Sequence, residues 1–92
     1  MTKTRHASHR MQQRGIPPLV VDWLLTFGHM RHDHRGAIVY YFDKHSRRNL
    51  ERAVGRRVVA HLAQYLDAYA VSTTNGDNVI TVGYRRGRFN QG

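Results

Sequence analysis

The chain has 92 residues, of which fifteen are Lys or Arg and six are Asp or Glu, so it carries a formal charge of +9 before any of its seven histidines protonates. At this length it builds one domain around one modest core, and without cysteine it has no disulfide framework and no thiolate metal centre. So basic a surface repels cations and attracts polyanions, which makes nucleic acid the first partner to consider.

Residues 4–14 read as a short helix. Thr4 is a capping residue, Ala7 and Met11 lie on one stripe, and Gly15 is placed to end the helix in the left-handed conformation. Pro17-Pro18 opens a second helix, because proline is tolerated in a first turn. Val20, Val21, Trp23, Leu24, Leu25 and Phe27 make that helix apolar on most sides, which implies deep burial, and Gly28 stops it. The apolar stretch 17–27 contains Asp22 and is far too short to span a bilayer. The first ten residues lack the apolar region of a secretory signal. With the absence of cysteine, this leads us to expect a cytoplasmic protein with no membrane role.

A β-hairpin follows, with a weakly alternating strand over 29–34, a turn at Arg35-Gly36 and a strong strand over 37–42 rich in β-branched and aromatic residues. Ser46 is the expected cap of a third helix over 46–66. In it Leu50, Val54, Val58 and Leu62 recur at helical spacing, with Arg47, Arg48, Arg52, Arg56 and Arg57 largely opposite. Gly55 sits inside that pattern and is the place where the helix would bend or split. Strands over 68–73 and 78–85 flank Asn75-Gly76, a strong hairpin signal. Residues 1–3 and 87–92 read as loose tails. The order α-α-β-β-α-β-β predicts an α+β domain: a helical hairpin, then a four-stranded antiparallel sheet with helices mainly on one face.

Four groups of residues could carry chemistry. His6, Arg10 and Arg14 share a polar helical face, with His9 beside it. An imidazole one turn from a guanidinium offers a proton-transfer group next to a phosphate clamp, whereas the bland alternative is a solvated basic helix. His29, His32 and His34, with His45 further on, raise the question of metal. Asp33 is their only near carboxylate and would point the opposite way, and the surrounding positive charge opposes a dication, so no metal or other cofactor is expected. Lys44, Arg47 and Arg48 stand at a strand-to-helix junction, where exposed amides and cations suit a phosphate. In the last strand Tyr84 could stack on a base or donate a proton, and Arg85 and Arg86 could clamp phosphates. Tyr40, Tyr41, Tyr65 and Tyr69 read as core or sheet-face aromatics.

The stretch His6-Ala-Ser-His-Arg10-Met-Gln-Gln-Arg14-Gly15-Ile16, followed by an apolar helix and Gly28, resembles the bacterial domain-of-unknown-function family 4258. That family opens on His-Ala-x-x-Arg-Met-x-x-Arg-Gly-Ile before a compact antiparallel sheet. It has been grouped with the RelE/ParE-like toxins of the barnase–EndoU–colicin–RelE nuclease fold. The match covers residues 6–28, and the helical segment 46–66 is longer than the connection the family uses. The resemblance implies a toxin-like RNA-binding protein and points to His6, Arg10 and Arg14.

These features give an expected function of RNA binding, extended in one version to metal-independent cleavage. In that version His6 acts as acid or base, Arg10, Arg14 and Lys44 hold phosphate, Arg85 supports them, and the product carries a 2′,3′-cyclic phosphate. A second class of reading is a non-catalytic module on RNA, DNA or the ribosome. A third is a protein-interaction domain with an acidic partner or antitoxin, or a homodimer formed through 46–66.

Overall fold

The computed structural model describes residues 2–33, 35–75 and 78–85. Thr2–Lys3 forms a two-residue strand, β1, in place of the expected loose end. Helix α1 spans Arg5–Arg14 and is capped by Thr4, whose hydroxyl accepts from the Ala7 N–H at 3.1 Å. It closes at Gly15, with φ 62° and ψ 37°, where a residue bearing a Cβ would pay a steric cost. Helix α2 covers Pro18–Phe27 and enters from an extended Pro17. Strands β2 (His29–His32) and β3 (Ala37–Tyr41) follow. Asp33 holds their turn by accepting from the Arg35 and Ala37 N–H groups at 2.8 and 2.9 Å.

Helix α3 runs over Lys44–Val54 and α4 over Arg56–His61. Gly55 separates them with φ 97°, a backbone state that breaks the helix and favours glycine. A 3-10 turn at Ala63–Tyr65 leads into β4 (Ala68–Thr73), and β5 (Asn78–Tyr84) completes the second hairpin. Two expectations for this region are corrected. The cap of α3 is Asp43, with Ser46 as its reciprocal partner three residues on, so Lys44 belongs to the first turn. The apolar spacing over 46–66 is carried by two helices and a turn instead of one long helix.

The sheet order is β1-β5-β4-β3-β2. Its four long strands pair antiparallel as expected and stand in chain order, and β1 adds to β5 in parallel, Thr2 opposite Asn78 and Lys3 opposite Val79. The domain is therefore α+β, with its helices on one face of the sheet. Alternation divides β3 and β4 cleanly, whereas β2 is exposed throughout and a register shift at Val71/Ser72 interrupts the pattern in β5. Ile38 and Tyr40 of β3, Ala68, Ala70 and Ser72 of β4, and Val79 and Val82 of β5 are buried. They meet Ala7 and Met11 of α1, Val20, Val21 and Leu24 of α2, and Leu50 of α3 in one core. Helix α1 lies on β5, while α2 crosses β4 and β3 and also touches α3. The intervening strand residues, among them Val39, Tyr41, Tyr69, Val71 and Thr81, are half-buried on the other face.

Candidate nucleic-acid interface

Helix α1 turns Ala7 and Met11 inward, which leaves its arginines and histidines outside. His6 and Arg14 are exposed and Arg10 is half-buried, so the three share one flank as their spacing requires. The ten residues of this helix include three arginines and no acid.

Lys44 stands elsewhere. It opens α3, beyond the end of β3, whereas α1 sits on β5 with β4 between. Lys44 and His45 are both exposed in a first turn held by Asp43. The Asp43 carboxylate accepts from the Ser46 N–H and hydroxyl, each at 2.8 Å, and the Asp43 N–H donates back to the Ser46 hydroxyl oxygen. The backbone hydrogen bond from Ser46 holds the Asp43 carboxyl below its usual range; burial opposes it, and the Ser46 hydroxyl, His29 and His45 reinforce it. His29 approaches with Nδ1 3.5 Å from Asp43 Oδ2.

A carboxyl depressed in the folded state stabilises the fold above its unfolded pKa and loses that contribution as pH falls through the folded value. Asp43→Asn should therefore leave the neutral-pH melting temperature nearly unchanged, because asparagine also caps, and weaken the loss of stability below about pH 4. Asp43→Ala should cost about 1–2 kcal/mol at neutral pH in a urea melt. Identical acid limbs for wild type and Asp43→Asn would disprove the assignment.

The densest charge lies on α3 and α4. Residues 44–61 include Lys44, Arg47, Arg48, Arg52, Arg56 and Arg57 against the single acid Glu51. Leu50 and Val59 point into the core, so Arg48, Arg52, Arg56 and Arg57 are left exposed around the Gly55 elbow. Arg48, Glu51, Arg52 and Arg56 rim an open hollow of about 420 Å³. A second hollow of about 550 Å³ beside it has Arg47, Arg56 and Arg57 on its rim and Val59 and Leu66 at its base. Arg47 is half-buried, with Nη2 3.7 Å from Asp67 Oδ1.

The last strand separates its candidates. Tyr84 is turned toward the helices, packs on the core and donates to the Gly15 carbonyl at 3.4 Å. Burial raises its pKa, so it is a poor proton donor and is not displayed as a stacking ring. Arg85 goes to the open face. Its guanidinium carbon lies 4.6 Å from the Tyr41 ring centroid, and Nη1 donates to the Phe42 carbonyl at 2.9 Å. The His29 ring meets Tyr41 edge-on at 5.2 Å. Helix α1 and Arg85 thus lie on opposite faces of the sheet, so the fold does not gather His6, Lys44 and Arg85 around one phosphate. Arg86 and His34 fall outside the described residues.

For the histidine row, His29 stands opposite Tyr41 and His32 opposite Ile38, which puts them on different sheet faces. Asp33 is engaged in the turn. Among the described residues no three His, Cys, Asp or Glu side chains are grouped to hold a metal. Sequence reasoning missed the cluster of His29, Tyr41, Asp43 and Arg85, because its members come from three separate segments. The one local sign of it was that His29 and Tyr41 flank the same predicted hairpin. No family model, no curated protein and no solved structure matches this chain.

Proposed function

We propose that this protein binds RNA through the arginine-lined elbow of α3 and α4, without chemistry at a shared catalytic centre. The observation that carries this reading is the ratio of six Lys/Arg to one acid over residues 44–61, with Arg48, Arg52, Arg56 and Arg57 exposed around two adjoining hollows. Guanidinium groups spaced along a ridge suit a row of phosphates, which they can grip through two parallel N–H bonds each. The basic flank of α1 adds to the field that draws a polyanion in. The likeness of residues 6–28 to the 4258 family favours RNA over DNA and adds a toxin-like role. An acidic protein partner of such a toxin would cover the same arginines and compete with RNA.

A cleaving version rests on His6 and Arg10, exposed and half-buried on one helical flank. It has the weaker support, since Lys44 belongs to another helix and Arg85 to the other face of the sheet. One experiment addresses both versions. Purified protein is titrated with labelled RNA in EDTA at about 50 and about 200 mM salt, and the RNA is then examined for new ends. Affinity falling by orders of magnitude between the two salts, with intact RNA, is the expected result. Cleavage lost in His6→Ala would reinstate the catalytic version, and no binding at the lower salt would overturn the proposal.

A further inference from the structure

Gly83 stands opposite Tyr69 in the β4–β5 ladder. A Cβ placed on it would lie 2.8 Å from the Tyr69 hydroxyl oxygen and 2.9 Å from two of its ring carbons. The ring therefore rests on the glycine backbone, laid down on the open face of the sheet where a side chain at 83 would lift it. Tyr41 stands opposite Tyr69 on the next strand, and Val39 is likewise opposite Val71. Arg31 of β2 pairs with Val39, which brings a guanidinium to the same face on one side, and Arg85 over Tyr41 brings another. Among the described residues no helix covers this face, and Val39, Tyr41, Tyr69 and Val71 on it are half-buried.

We infer that this face is a platform for the unpaired bases of single-stranded RNA, with Tyr69 as the principal stacking ring. The inference rests on the RNA-binding reading above and names the class of RNA. Every base has a π-face that stacks on an aromatic ring, and a guanidinium plane extends such a stack or meets the adjoining phosphate. Paired bases in a duplex are already sealed on both faces, so a duplex can use the arginine elbow but not these rings. The occupant follows from charge: the rings and valines are flanked by Arg31 and Arg85 in a chain of +9, which suits a polyanion carrying flat apolar groups.

The test compares an unstructured pyrimidine RNA of about 12 nucleotides with a blunt duplex of equal length, by fluorescence anisotropy at low salt. The proteins are wild type, Tyr69→Leu, Tyr69→Phe and Gly83→Ala. Gly83→Ala keeps the ring but displaces it, and the atoms it strikes belong to the far end of a side chain and not to the backbone, so the sheet should be retained. Tyr69→Leu and Gly83→Ala should each weaken single-strand binding about tenfold, the loss of one base–aromatic stack, while Tyr69→Phe restores it. Duplex binding should be the same for all four.

Unchanged single-strand affinity in both weakened variants, or an equal loss on the duplex, overturns the platform and leaves the RNA-binding proposal standing. Failure of wild type to bind either RNA overturns both. Sedimentation of the free proteins adds a third check: a wild-type dimer that Tyr69→Leu dissociates would assign this face to a second copy of the chain instead.

Discussion

Leu24→Ala should lower the unfolding free energy by about 3 kcal/mol, which for a domain of this size is a fall in melting temperature of roughly 12–24 °C. Leu24 is fully buried, and its helix α2 touches β3, β4 and α3, so the space it leaves lies in a core walled by the sheet and a neighbouring helix. Such walls relax little, and the lost transfer free energy is then compounded by a cavity. The same helix supplies its own control. Leu19 is 47% exposed, and Leu19→Ala should shift stability by no more than about 0.5 kcal/mol. Parallel urea melts decide the matter; a cost below about 1 kcal/mol for Leu24→Ala would mean that α2 is not the central element of the core.

Neutralising the elbow with Arg48→Gln, Arg52→Gln and Arg56→Gln together should weaken RNA binding on the order of a hundredfold at low salt. Each exposed ion pair with phosphate is worth up to about 1 kcal/mol, and three of them multiply to that factor. The diagnostic quantity is the salt dependence. Losing three phosphate contacts should reduce the slope of log K against log salt by about 2 for a single strand. Glu51→Gln should act in the opposite direction, since it removes the acid shared by both hollows. Stability should hardly move, because Arg48, Arg52 and Arg56 are exposed. A triple variant with wild-type affinity and slope would place the phosphate contacts elsewhere, with α1 the next region to examine.

Much of the fold is legible wherever one residue type has one local physical use. Thr4, Gly15 and Pro17-Pro18 mark the boundaries of α1 and α2 as read, and the alternation in β3 and β4 separates buried from half-buried positions. The start of α3 is ambiguous in the sequence because Asp43 and Ser46 are both good caps three residues apart. Only the paired hydrogen bonds show that one is the cap and the other its partner. Gly55 was recognised as a break, but apolar spacing runs through it because α3 and α4 bury Leu50 and Val59 in the same core.

The candidate surfaces were less legible, for a geometric reason. Helical spacing places His6 with Arg10, and strand alternation places Tyr41 and Arg85 on faces of their own strands. Neither periodicity relates one element to another. That Tyr84 turns to the helices while Arg85 reaches Tyr41 depends on the β4–β5 register and on the position of α1. The bearing of Gly83 on Tyr69 is likewise a cross-strand fact, invisible until the two positions are set side by side.

The seat of α1 has a consequence for how the chain acquires its shape. The Thr4 N–H donates to the Val79 carbonyl, the Thr4 hydroxyl to the Ile80 carbonyl, and the helix that follows packs on β5. Among the described elements the first helix is thus docked by the last strand. On a ribosome adding roughly 5–20 residues per second, α1 waits for several seconds with Ala7 and Met11 uncovered. During that wait the β2–β3–β4 pairings, each between consecutive strands, are free to form. Closure of α1 on β5 joins elements far apart in the described chain, a contact of long range that sets a slow step for a fold otherwise assembled from neighbours.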